Sequence, residues 1–355
     1  MSDSIPDETL RVCLGFPPFH AEPYLERLAA LGGVEGVVLP IDPDVDWATQ
    51  AANEPHSEPP AWATGVAAER EAALASCHVL TTLHTPDRLH ERAPNLRWVH
   101  GCGAGVEQFS TAGLIEDRVA LTNSGGVSAG SMAEWVIGRL LQVWKRFREA
   151  DTYQTQHAFE RSYGRTFAGS TIGIVGLGGI GKAVAARARA FGCHTLGLRR
   201  SARPGERSED VDELFAPDGL HALLSRSDAV VIAAPATAET QHLIDEAALA
   251  VMPRHAVLVN VARGSLVDEA ALVRVMQDDP LAAAILDVFD PEPLTPESPL
   301  WDLPNVYVSA HSSVAVDRYM DDVFDLFIDN LERFRTGRAL RNVIDTQALG
   351  FESPI

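Results

Sequence analysis

One short run of glycines limits what this chain can fold into: Gly176-Leu177-Gly178-Gly179-Ile180-Gly181. An apolar stretch precedes it (Thr171 to Val175), and an alanine-rich segment running to Gly192 follows. A GxGxxG pattern on its own is a weak signal. Set between a strand and a helix, it describes a tight turn that brings bare backbone to a helix N-terminus. Gly176 permits the turn, Gly178 lets the backbone approach a pyrophosphate, and Gly181 lets helix pack on strand. Gly179 and Ile180 open the helix, whose unpaired N–H groups and positive dipole end suit phosphate. The unit therefore predicts a dinucleotide site.

The surrounding pattern extends this to two domains. Leu10 to Phe16, Val34 to Pro40, His78 to Leu83, Leu96 to Cys102 and Val119 to Ser124 read as strands with helix-like segments between most of them. Such alternation implies a parallel, doubly wound sheet. From Thr171 a second alternating unit begins, with strands at TIGIVG, CHTLGL, 228–234, 256–262, 282–288 and 306–310. Apolar spacing at Met132, Val136, Ile137, Leu140, Leu141 and Trp144 predicts one long helix over 128–150, followed by an irregular polar stretch. A closing helix is expected over about 316–336. Residues 41–63, rich in proline and polar residues, read as an insertion loop.

Composition removes several classes. The 355 residues carry a formal net charge of −20, which disfavours nucleic acid and anionic lipid as partners. No apolar run is long enough to span a membrane. The acidic start, Met1 to Glu8, lacks the apolar core of a secretory leader. Cys13, Cys77, Cys102 and Cys193 form no CxxC pair, so reduced thiols in a cytoplasmic protein are expected and a metal site is not.

Within so acidic a chain, Arg199-Arg200-Ser201-Ala202-Arg203 stands out at the end of the second strand of the second unit. An acidic residue normally meets the adenosine ribose there, and no carboxylate appears until Glu206. Arg199, Arg200 and Arg203 suit a 2′-phosphate instead, which predicts NADP in preference to NAD, with NAD still usable.

Three further segments fall just past strand ends, where ligands bind in open α/β sheets. They are Asn260-Val261-Ala262-Arg263-Gly264, Asp287-Val288-Phe289-Asp290-Pro291-Glu292-Pro293, and Ser309-Ala310-His311-Ser312-Ser313. Arginine offers a fixed fork of donors for a carboxylate and a carbonyl oxygen. Histidine can give or take the proton at that oxygen. A neighbouring carboxylate orients the imidazole and favours its charged form. The set fits reduction of a 2-keto acid.

On these residues the chain resembles the D-isomer-specific 2-hydroxy-acid dehydrogenase family across most of residues 95–315. The likeness is carried by GLGGIG, NVARGSLVDEAAL from Asn260, LDVFDPEPL from Leu286, and SPLWDLPNV leading to His311. Its character is nearest to NADPH-dependent glyoxylate/hydroxypyruvate reductases. The resemblance implies Arg263, Glu292 and His311 as the catalytic set, with Arg263 also binding substrate. Backbone N–H groups of Ala104 and Gly105 are implied for the substrate carboxylate. Pro235, Thr240, Ala262, Asp287 and Ser313 are implied beside the cofactor. It further implies a Rossmann cofactor domain (126–314) and a flavodoxin-like substrate domain (1–125 with 315–355), with a cleft between that closes by hinge motion. The long helix from Ser128 would pack in a homodimer. Ala310 departs from the proline usual before the histidine. Two alternatives share the pattern. Formate dehydrogenase-like relatives carry glutamine in place of Glu292. NAD(H)-sensing transcriptional corepressors of the same fold keep the triad. The stretch after His311 looks too short for an added regulatory domain.

Overall fold

The computed structural model describes residues 9–15, 21–40, 67–85, 88–114, 118–203, 205–278, 281–314 and 317–346. The expected insertion loop and the Phe16 to Phe19 segment, a candidate for substrate selection, lie outside them. The chain divides into two compact units: residues 1–127 with 317–355, and residues 128–316.

In the first unit, β1 (Leu10–Leu14), β2 (Val34–Val38), β3 (Val79–Thr82), β4 (Trp98–Gly101) and β5 (Ala120–Asn123) form a wholly parallel sheet in the order β2-β1-β3-β4-β5. β3 and β4 are buried at every position, as the middle of a sheet covered on both faces requires. One face packs on Leu74, Leu89, Leu96 and Phe109. The other packs on the C-terminal helix, Tyr319–Arg335, through Phe324, Phe327 and Leu331. Trp98 stacks on Phe327 with ring centroids 5.2 Å apart. Tyr24 donates to Asp321 at 2.9 Å, so the end of the chain returns to complete the core that its beginning started.

In the second unit the strands are β6 (Thr171–Val175), β7 (His194–Leu198), β8 (Glu213–Phe215), β9 (Ala229–Ile232), β10 (Val257–Asn260), β11 (Ala283–Leu286) and β12 (Val306–Val308). All pair in parallel, in the order β12-β11-β10-β9-β6-β7-β8. The chain works outward from β6 to β8, then crosses back to β9 on the other side of β6. The carboxyl ends of β6 and β9 therefore flank a topological switch point, where ligands bind in such sheets. Alternate residues of the central strands feed two cores. Ile174, Val231, Val259 and Ile285 point to one face, while Val175, Val230, Leu258 and Ala284 point to the other. Truncating Ile174, Leu258 or Ile285 to alanine would typically cost about 2–5 kcal/mol.

Two local differences from the sequence reading have physical causes. The predicted helix over 128–150 is two helices, Ala129–Trp144 and Phe147–Thr155. Arg146 adopts the left-handed conformation at φ 58°, breaking the helix where the buried apolar stripe stops at Trp144. The second helix buries no residue, so no periodic signal marks it, and the stretch expected to be irregular begins helical. β8 is a three-residue edge strand, half-buried and carrying Glu213, with no apolar run to reveal it.

A buried polar network sits at the carboxyl ends of β4 and β5. Trp98 Nε1 donates to Thr122 Oγ1 at 2.8 Å, and Ser124 Oγ donates to the Gly101 carbonyl at 2.9 Å. His100 lies between them, with Nδ1 2.8 Å from Thr122 Oγ1 and Nε2 3.1 Å from Ser124 Oγ. Ser124 has already given its proton to Gly101, so His100 Nε2 must donate to Ser124 while Nδ1 accepts from Thr122. A neutral imidazole satisfies the network in this way, and burial pushes the His100 pKa from 6.5 down to about 4. The unfolded chain takes up this proton first as pH falls. Stability should therefore decline between about pH 6.5 and 4, by at most about 1.4 kcal/mol per pH unit, then level off. Urea denaturation midpoints across that range check this. His100→Gln should flatten the decline, and an equal decline in both proteins would remove His100 as its source.

Candidate active site

The site is built at the carboxyl ends of β6, β9, β10, β11 and β12. Gly176, which follows β6, has φ 101°. A Cβ there would lie 2.6 Å from the Ala234 nitrogen and 2.7 Å from the Ala233 carbonyl oxygen, so the loops after β6 and β9 meet backbone to backbone. A Cβ on Gly181 would overlap the Gly176 carbonyl oxygen, which explains the helix seated directly on the turn. Gly178 differs, because a Cβ there meets nothing within 4 Å. Gly178 and Gly179 are exposed, while Ile180 packs partly into the core. Open space at the bare backbone of a helix start fits a pyrophosphate. After β9, Pro235 is exposed. Thr240 closes that loop, its hydroxyl donating to the Pro235 carbonyl at 2.8 Å and accepting the Thr237 N–H at 2.8 Å.

At the end of β10, Asn260 is 1% exposed and its side chain works as a clamp. Its oxygen accepts the Ala262 N–H at 3.0 Å, and its amide donates to the Arg263 carbonyl at 2.9 Å. The Arg263 guanidinium, half-buried, donates from Nη1 to the Ala262 carbonyl at 2.7 Å. At the next residue, Gly264, a Cβ would fall inside the backbone of Phe289 and Asp290. The turn presenting Arg263 is thus pressed against the loop that presents Glu292. Glu269 lies beside Asp290 as well. Burial pushes its carboxyl pKa up, opposed by a hydrogen bond from the Asp290 backbone.

Glu292 and His311 meet directly, with Nδ1 2.8 Å from Oε1. His311 is in the left-handed region at φ 47°, a conformation that costs on the order of 1–3 kcal/mol outside glycine. Asp287, at the end of β11 and 1% exposed, holds it there. The Asp287 carbonyl accepts the His311 N–H at 2.8 Å. Its carboxylate accepts the Ser312 N–H at 2.9 Å, the Ser313 N–H at 3.1 Å and the Ser309 hydroxyl at 2.7 Å. Hydrogen bonds to a charged group are worth about 1.5–3 kcal/mol each, so the set outweighs the conformational cost.

The ribose end also differs from the sequence picture. Arg200 and Arg203 are exposed. Arg199 is half-buried and paired with Glu206 at 2.5 Å. Ala104 and Gly105 belong to the other unit, on the loop after β4. Asn123 donates to the Ala104 carbonyl at 2.6 Å and Gln108 to the Gly105 carbonyl at 3.2 Å. Tyr319, half-buried, donates to the Cys102 carbonyl at 2.7 Å, and loss of solvent raises its pKa to about 12. For Ala104 and Gly105, contacts from their backbone N–H groups to a substrate carboxylate are what the resemblance implies.

A three-layer parallel sheet with a glycine turn at its switch point, and an acid–base pair at neighbouring strand ends, defines a dinucleotide-dependent oxidoreductase. The family model for the D-isomer specific 2-hydroxyacid dehydrogenase NAD-binding domain matches residues 137–313. A glyoxylate reductase of Korarchaeum cryptofilum is 31% identical over 290 residues, 79% of this chain and 86% of that protein. The chain belongs to the D-isomer specific 2-hydroxyacid dehydrogenase family, and residues 137–313 fall in its NAD-binding domain. A glyoxylate reductase of Thermococcus gammatolerans is 33% identical over 273 residues, 74% of this chain and 80% of its own. Among solved structures, a family member from Aeromonas salmonicida superposes with a TM-score of 0.78 at 27% identity, covering 95% of this chain and 99% of that one. The NADPH-dependent glyoxylate/hydroxypyruvate reductase of Sinorhizobium meliloti, solved with NADP and sulfate, gives 0.75 at 28% identity, covering 96% and 99%. Among the described residues no helix is long and apolar enough to cross a membrane.

Sequence reasoning quoted Asn260 and Gly264 without giving them tasks, and it passed over Glu206 as a partner for Arg199. Asn260 shows only as a polar residue ending an apolar strand. Two tests follow from the loop geometry. Gly264→Ala should lower the melting temperature of the second unit by several degrees in calorimetry; an unchanged value would mean the two loops can part cheaply. Asp287→Asn should reduce turnover about tenfold or more, with dinucleotide affinity changed less than about threefold. Weakened cofactor binding with turnover preserved would put this side chain on the nicotinamide instead.

Proposed function

We propose that the chain reduces small 2-keto acids, glyoxylate and hydroxypyruvate foremost, to D-2-hydroxy acids, using NADPH in preference to NADH. The carrying observation is the 2.8 Å pair between His311 and Glu292, on a loop fixed by Asp287. When bound at the glycine turn, the reduced dinucleotide supplies the hydride. Glu292 accepts from Nδ1 and fixes the ring, so Nε2 is the atom that carries the proton to the substrate carbonyl oxygen. Arg263, set by Asn260 and Gly264, offers its guanidinium to the carboxylate and carbonyl of the keto acid. Gly176, Gly178, Gly179, Ile180 and Gly181 would hold the pyrophosphate, with Pro235, Thr240, Ala262 and Ser313 around the remainder. Arg199, Arg200 and Arg203 would meet a 2′-phosphate. The names of the curated relatives and the NADP in the Sinorhizobium structure support this assignment.

A carboxylate at position 292 favours keto-acid reduction over formate oxidation, which draws no proton from the enzyme. The names of the two glyoxylate reductases and of the Sinorhizobium reductase favour an enzyme over a corepressor.

Loss of nicotinamide absorbance across a panel of 2-keto acids, with each cofactor, tests the assignment. Glyoxylate and hydroxypyruvate should turn over fastest, and kcat/KM should be higher with NADPH. Equal use of the two cofactors would overturn the arginine argument. His311→Ala should lose at least about a hundredfold in kcat while binding cofactor normally. Wild-type rates in that variant would remove the proton-donor role.

A further inference from the structure

The arginines at the end of β7 do not form an open cationic patch. Arg199 Nη2 donates to Glu206 Oε1 at 2.5 Å, and Glu206 Oε2 accepts the Arg203 backbone N–H at 3.0 Å. The pair is about two-thirds buried, with side-chain exposures of 31% and 36%. Arg199 Nε is buried with no hydrogen-bond partner among the described residues, so the guanidinium is held chiefly through its outer nitrogens. Glu206 itself sits at the close of a tight turn, its N–H donating to the Arg203 carbonyl at 3.0 Å.

Two more carboxylates surround the same strand end. Asp210 pairs with Lys182 at 3.1 Å, and Lys182 foremost, with Ser208 and Arg199 adding, holds its carboxyl below the usual range. Glu239 is lowered mainly by the Thr237 hydroxyl, with Arg200 contributing through space. Arg200 is exposed and Arg199 is not. The two arginines are therefore unequal: one faces water, and the other is already matched to a counter-charge.

We propose that Glu206 is a specificity-determining residue, an internal counter-ion that occupies Arg199 until a 2′-phosphate displaces it. Arg200 then makes the first contact with the phosphate, and Arg199 joins only as its ion pair with Glu206 opens. The carboxylate left behind faces a dianion across a short distance, which subtracts from NADP affinity. A ribose hydroxyl needs no such displacement, so NAD binding is spared. The arrangement moderates the selection that two arginines would otherwise impose and keeps both cofactors usable. This inference rests on the 2′-phosphate reading above and concerns how strongly it is expressed.

Calorimetric titration with 2′,5′-ADP, NADP+ and NAD+ separates the two ideas without measuring turnover. In Glu206→Gln, 2′,5′-ADP and NADP+ should bind about tenfold more tightly, with NAD+ changed less than about twofold. In an Arg199→Gln background the same substitution should have almost no further effect, because the charge it frees is gone. Unchanged NADP+ affinity in Glu206→Gln, or NAD+ weakened tenfold because Glu206 binds the ribose itself, would overturn the counter-ion role. The parent reading fails differently: it falls if Arg199→Gln and Arg200→Gln each leave the NADP+ to NAD+ affinity ratio of the unsubstituted protein unchanged.

Discussion

The buried carboxylate of Asp287 is the interaction on which the site depends. It closes β11 and gathers the chain that leaves β12, through two consecutive backbone N–H groups and one hydroxyl. Without those acceptors the segment 309–313 would have polar groups to satisfy elsewhere and no reason to hold His311 at positive φ. Glu292 is presented from the same strand, five residues on, so one short loop supplies both the support of the histidine's backbone and the partner of its ring. Parallel pairing of β11 with β12 then makes the rest automatic, because it puts both carboxyl ends on one edge.

Much of this was legible in the sequence because parallel sheets speak plainly. Strands covered on both faces are short apolar runs, and those of β9, β10 and β11 stand out from their surroundings. The glycine turn was equally plain, since its steric demands are met by few residues. What stayed hidden had no such signature. β8 is an edge strand with a charged residue, and the helix Phe147–Thr155 buries nothing. Arg199 and Glu206 lie seven positions apart, and periodicity says nothing about which side chains the chain between strands brings together. Asn260 and Gly264 act on backbone, so their types look incidental until the neighbouring loop is seen.

The two units repeat a theme with different emphasis. Both place polar chemistry at the carboxyl ends of a parallel sheet. In the first, His100 is locked as a neutral ring inside a closed network with Thr122 and Ser124. In the second, His311 is half-exposed and, among the described residues, its ring is tied at one nitrogen. Burial with two partners makes a histidine a structural strut. Exposure with one partner leaves an edge able to exchange protons, and that contrast separates the two rings better than their position in the sequence does.

The openness of that ring has a kinetic meaning. With 53% of its side chain reached by water, His311 would need no relay of internal carriers to recover a proton spent in the role proposed for it. In that role, recovery of the proton would depend on the supply of donors in the surrounding solution rather than on a buried chain of carriers.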